Sequence, residues 1–224
     1  VVLVAIDQAS ERAIGRKFDP NWRAEHAMLI GRAASAGARV VAFDLFVEDP
    51  SVETADAALE AALVQTHDKM PVVFGVRNRG SDGEAAMLPR FVPLARQAIA
   101  CVGVSIGQAY LMPLAVRRRG TASSAAATLV PSLPLAAYSG GGRVELIDAG
   151  DRTVLVRMRP ERETRPVAYY DGGILSDPQP GCGVVSKGDL VVSQLIDAYD
   201  LPSLRAPPQR VAYERIVAGD PDAL

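Results

Sequence analysis

Histidine and cysteine are nearly missing from this chain: 224 residues hold only His26, His67, Cys101 and Cys182. The two cysteines lie far apart with no C-x-x-C spacing, which excludes a zinc or redox motif. They are open to one disulfide in an oxidising compartment or to two buried thiols in a reducing one. A phosphate loop, a dinucleotide fingerprint and an internal repeat are also missing. Ser139-Gly140-Gly141-Gly142 has no Gly-Lys-Ser/Thr ending and leads into a strand pattern, so it reads as a turn. Charge is nearly balanced at a formal −2, which gives no reason to expect nucleic acid or an anionic membrane as partner. The basic residues are overwhelmingly arginine, a bias open equally to fixed forks on carboxylates and to codon usage alone. There is no signal peptide, and residue 1 already lies inside an apolar run. A natural amino terminus rarely starts there, so the chain reads as cut from a longer protein. The one uncharged stretch with a membrane span's outline, Ala98 to Val116 before Arg117-Arg118-Arg119, is interrupted by Gly103, Gly107, Gln108 and Pro113. Ile99 to Ile106 reads better as a buried strand.

What is present suits one globular α/β domain spanning 1–224, since 49% of the residues are hydrophobic. Val1 to Asp7 and Arg39 to Asp44 are apolar, β-branched runs without alternation, the mark of strands buried on both faces. The segment between them predicts a crossover helix, making a right-handed βαβ unit. Asp19 is its N-cap, Pro20 its first residue, and Trp22, His26, Leu29, Ile30 and Ala33 its sheet-facing stripe. Asp7 caps a shorter helix closed by Gly15. A helix with Ala55, Leu59, Ala62 and Leu63 facing inward follows, then a strand over 71–76 and a fourth strand around Cys101. The second half predicts a short helix over Ser132 to Tyr138 and a β-hairpin over 144–157. Arg159 to Gly183 reads as a long surface excursion, and Asp189 as the cap of a helix along Leu190, Gln194, Leu195 and Ala198. A last extended piece, 211–213, precedes a helical turn over 214–218 stopped by Gly219. The fold class is therefore α/β: a mostly parallel or mixed central sheet with flanking helices, plus the hairpin and the excursion.

Ligands of such sheets bind where strands end, which makes Asp7 and Asp44 the first candidates. They could chelate a cation or act as an acid/base pair. The scaffolding reading has Asp7 capping its helix and Asp44 accepting hydrogen bonds from its loop. Gly103-Val104-Ser105-Ile106-Gly107 matches the G-x-S-x-G nucleophile elbow, but both histidines lie upstream of Ser105, against the order Ser, acid, His. His26 reads as a packed, hydrogen-bonded core residue and His67 as a solvated helix end. Tyr169-Tyr170, within the proline-rich excursion, is a weak ligand or partner contact. No catalytic, cofactor-binding or metal residue is assigned, and no cofactor is expected.

Val2 to Ser10 and Gly37 to Phe46 resemble the openings "V-x-I-D-x-x-S" and "G-A-x-V-(I/V)-x-F-D" of the CHASE2 family, with His26 matching a histidine of the intervening helix. Val211 to Asp220 and Ser132 to Ala136 are similar too. The match departs from the family in three places. Asp19-Pro20-Asn21-Trp22 shifts a Trp-Pro dipeptide, and only Ala115 to Gly120 remains of a "D-x-D-G-x-x-R" hairpin. A "G-K-(I/V)-V-L-(I/V)-G" strand is expected beyond Leu224. The resemblance implies an extracytoplasmic, periplasmic-face sensor domain of a bacterial transmembrane receptor. Its expected partners are a small-molecule or envelope signal, flanking transmembrane helices, a cytoplasmic cyclase or kinase effector, and a second copy in a homodimer. Two readings compete: a cytosolic α/β hydrolase or phosphatase using Asp7, Asp44 or Ser105, and a purely structural or dimerisation module.

Overall fold

A computed structural model describes residues 2–76, 87–99, 104–106, 109–118, 128–138, 144–150, 153–158, 164–171, 190–197 and 209–223. The chain begins with β1 (Val2–Ala5) and α1 (Gln8–Ile14). A single 3₁₀ turn over Pro20–Trp22 then runs into α2 (Arg23–Ser35), followed by β2 (Val41–Phe43), α3 (Glu53–Thr66), β3 (Val72–Val76) and β4 (Arg96–Ile99). Strands β2, β3 and β4 form a parallel sheet in that order. The chain's last elements, β12 (Gln209–Ala212) and α5 (Tyr213–Ala218), return to the start, with β12 parallel to β1.

Local chemistry accounts for these elements. Asp7 accepts hydrogen bonds from the Ala9 and Ser10 amides while Ser10 reaches back to the Asp7 amide, a reciprocal cap that starts α1. Asp19 takes the Asn21 amide, and Pro20 occupies the first position of the turn, where no N–H is required. Gly219 closes α5 at φ +89°, a left-handed conformation that a residue with a Cβ resists, and the Arg32 guanidinium lies where that Cβ would stand. The expected stripe of α2 is buried as read: Trp22, His26, Leu29, Ile30 and Ala33 all lie inside, with Arg23 among them. They share one core with Leu59 and Leu63 of α3, Phe74 and Val76 of β3, Phe91, Val211, Tyr213 and Ile216. Each large apolar side chain so buried contributes about 1.5–3 kcal/mol.

Between β4 and β12 lie β5 (Val104–Ile106), β6 (Ala109–Arg118), β7 (Thr128–Pro131), α4 (Leu133–Tyr138), β8 (Val144–Gly150), β9 (Thr153–Met158), β10 (Thr164–Asp171) and β11 (Leu190–Asp197). The strands pair antiparallel in the order β5-β6-β11-β10-β9-β8, with β7 on β6. Helix α4 packs on β2, β3 and β4 as well as on β6, and β4 touches β7, so this sheet adjoins the parallel one.

The α/β class and the hairpin, now β8 and β9, stand. Several details are corrected. Strand β1 is not buried on both faces, because Val2 and Leu3 are 42% and 52% exposed. It pairs with β12 and β2 with β3, so the expected βαβ pair is divided between two sheets. Apolar content in the run signals a strand and leaves its neighbours open. The expected helix along Leu190, Gln194 and Leu195 is strand β11, because pairing with β6 and β10 overrides its local propensity. The surface excursion contains β10. Its residues 164–168 pair with β9 and 169–171 with β11, so Pro166 sits where one neighbour is engaged and a missing N–H is tolerated. The fourth strand is centred earlier than read, at Arg96–Ile99, and Cys101 and Cys182 lie outside the described residues.

Candidate functional site

The parallel strands deliver the first candidate, Asp7, to the carboxyl end of β1. Its carboxylate takes the Ala9 amide at 2.8 Å and the Ser10 amide at 3.2 Å, and Arg210 of β12 lies 3.5 Å away. The Ser10 and Ala9 N–H groups hold this carboxyl below its ordinary value, with Arg210 and Arg12 assisting. Ser10 in turn donates to Glu214 at 2.7 Å, which ties α1 to the start of α5. Asp7 is thus committed to the scaffold.

Asp44 is exposed just past β2, and it makes no hydrogen bond or ion pair among the described residues. The loop bonds expected of it belong to Asp56, one turn into α3. Asp56 accepts from the Ser51 hydroxyl and, at 3.2 Å, from the Ser51 amide. Arg23 grips the same carboxylate with one nitrogen and the Asp49 carbonyl with another. Both side chains of that pair are 3% exposed. Burial pushes the Asp56 carboxyl up, but the Ser51 and Arg23 hydrogen bonds outweigh it, and the net shift is downward. Outside this pair, Arg90 clasps Glu53 and Glu60 of α3, and both arginines lie over the Phe91 ring. The segment after β2 is therefore fixed from beneath, and Asp44 beside it has no partner among the described residues.

Within the core, His26 is 4% exposed and its Nδ1 meets the Tyr213 hydroxyl at 2.7 Å. Trp22 stacks on Tyr213 with ring centroids 5.6 Å apart and donates its indole N–H to the Lys17 carbonyl. Burial, with Arg23 and Arg16 nearby, lowers the imidazole to about 4, so it is neutral at pH 7. Burial also raises the Tyr213 phenol. The reading of His26 as a packed histidine is met. His67, at the end of α3, is exposed and bonds the Leu94 carbonyl.

Ser105 lies in the middle of β5 opposite Tyr110, and the chain passes from β5 into the antiparallel β6. A nucleophile elbow needs a helix after the strand, so the G-x-S-x-G match is a chance one within a strand, as the upstream histidines already indicate. Tyr169 and Tyr170 are in β10, in register with Val192 and Val191, and their surroundings lie outside the described residues. Among the described residues no group of acids, histidines or cysteines is placed to hold a metal. Two constellations were not legible beforehand, Arg23–Asp56 and His26–Tyr213. Their partners are 33 and 187 residues apart, and no local pattern announces either.

The strand-end acids thus serve structure or stand alone, and among the described residues no nucleophile, base and oxyanion donors converge. A family model for the CHASE2 domain matches residues 1–217. The chain is a CHASE2 domain. CHASE2 domains are extracellular sensor modules of signalling receptors, sensory and not catalytic. No curated protein and no solved structure matches this CHASE2 domain. Among its described residues no helix is long and apolar enough to cross a membrane.

Proposed function

We propose that this CHASE2 domain is the ligand- or stress-sensing part of a membrane-anchored bacterial receptor. In this reading it sits on the periplasmic face and passes a binding event to a cytoplasmic cyclase or kinase through flanking transmembrane helices. The family match carries the reading. The committed state of Asp7 supports it, because a carboxylate engaged by two backbone amides is poorly placed as a base or nucleophile. The ligand-facing end is the carboxyl edge of β1 and β2, where Asp44 presents a carboxylate without a partner among the described residues.

The test is a thermal-shift screen of the purified domain against metabolites and envelope stress compounds. A ligand at a hundred times its Kd stabilises by roughly 2.7 kcal/mol, a readily read rise in Tm. Asp44→Asn is expected to diminish that rise while leaving the unliganded Tm within error. In the parent receptor, deleting the domain should abolish the response and spare basal effector output. Hydrolysis of model esters or phosphomonoesters that disappears in Asp7→Asn or Ser105→Ala would instead establish the hydrolase reading.

A further inference from the structure

We propose that the contact between α2 and α5 is an acid-sensitive latch: protonation of His26 frees α5 from α2 while the rest of the fold persists. This rests on the packing around His26 and not on the sensor reading. His26 makes one hydrogen bond among the described residues, to Tyr213, the first residue of α5. Aromatic rings fill much of its remaining surroundings, with the Phe43, Tyr213 and Phe18 centroids at 5.3, 5.7 and 6.1 Å.

Among the described residues no uncommitted acid is seen to face the ring. On α2 itself, Arg23 is paired with Asp56, and Glu25 is held by Arg16 at 2.7 Å. Arg16, from the segment before α2, also holds Asp19 at 3.0 Å and brings positive charge towards the ring. Strand β2 presents Phe43, which is uncharged. On α5, Glu214 is bonded to Ser10, and Arg215 is paired with Asp220 at 2.6 Å. An imidazolium at this position would be a buried cation between two arginines without a counter-ion, and such a charge is relieved by opening a contact to water.

The partner that holds the hydrogen bond is α5. It is six residues long and contributes Tyr213 and Ile216 to the core. An isolated helix of that length has little stability of its own. The imidazole titrates near 6.5 when solvated and at about 4 in the closed packing. Linkage therefore weakens the closed contact about 80-fold as pH falls from 6.5 to 4.

Trp22 is the only tryptophan and stacks on Tyr213, so its emission reads the latch directly. The experiment titrates the 224-residue chain from pH 7.5 to 4, following Trp22 emission and far-UV circular dichroism together. The expected result is an emission change inside the 4–6.5 window with the far-UV spectrum retained. His26→Asn, whose amide can take the place of Nδ1 without titrating, should hold its emission flat over that range. An identical transition in His26→Asn, a far-UV collapse that accompanies the emission change, or no change down to pH 4 would each overturn the latch. If His26→Asn does not fold, proton NMR of the wild-type histidine Cε1 signals, assigned with His67→Gln, decides it. The His26 signal must then titrate with the same midpoint as the emission, and a different midpoint refutes the proposal.

Discussion

At the scale of single residues, the molecule's carboxylates divide by what they touch. Asp7 accepts from two amides at the start of α1, so Asp7→Ala should cost about 1 kcal/mol in urea denaturation, whereas Asp7→Asn, an equally good cap, should be nearly silent. The Asp7 carboxyl is lowered in the folded state, so its stabilisation is complete above the ordinary value of 3.8 and is lost as pH falls below that value through the folded one. Asp7→Asn should remove that part of the acid dependence. Asp56 answers to a harsher rule because its partner Arg23 is buried with it. Removing one partner strands the other's charge, so Arg23→Met should cost about 3–5 kcal/mol by denaturant titration. The double variant Arg23→Met/Asp56→Leu should recover much of that loss, since two apolar groups leave nothing unpaired. A double variant as unstable as the single one would mean that the Asp49 carbonyl and Ser51, not the ion pair, dominate the site.

At the scale of elements, β11 is the clearest test of pairing against propensity. Leu190 to Val192 pair with both β10 and β6, whereas Ser193 to Asp197 pair with β6 alone. Backbone N–H groups of an antiparallel strand point alternately to its two sides. Hydrogen exchange should therefore protect consecutive amides at Val191 and Val192 and only every second amide from Ser193 to Asp197. Uninterrupted protection along the whole segment would restore the helix. This segment also marks the limit of what was legible. Wherever a residue's partner lay within a few positions, the pattern was readable: the Asp7 cap, the Pro20 turn, the α2 stripe, the hairpin of β8 and β9, the stop at Gly219. Where pairing came from a distance, the local pattern misled, as in the helix-like spacing of Leu190, Gln194 and Leu195 and the proline-rich stretch holding β10. The site followed the same division. Asp7 and His26 were read with the roles they have, but Asp56, which organises the loop assigned to Asp44, and Tyr213, which holds His26, are known only once distant segments meet.

At the scale of the whole molecule, the parallel sheets and the seven-stranded antiparallel sheet are joined through a small piece of structure. Helix α4 reaches β2, β3 and β4 on one side and β6 on the other, and β4 adjoins β7. Its buried residues are Leu135 and Ala136, and Ala136 packs with Val73 of β3 and Ala98 of β4. A helix packed on elements of both sheets couples their unfolding, because neither can part from it without uncovering it. Trp22 emission reports the α/β core, whereas far-UV circular dichroism reports the whole chain, antiparallel strands included. In urea at pH 7.5 the two probes should give coincident transitions, with one midpoint and one slope. Ala136→Asp places an uncompensated carboxylate against Val73 and Ala98, which α4 accommodates only by parting from them. That variant should separate the two curves, with the far-UV signal beginning to fall before Trp22 responds. Two well-separated transitions in the unaltered chain would mean that α4 does not bind the halves into one cooperative unit. A signal received at the strand ends of the α/β core could then reach the antiparallel sheet only through the connecting chain.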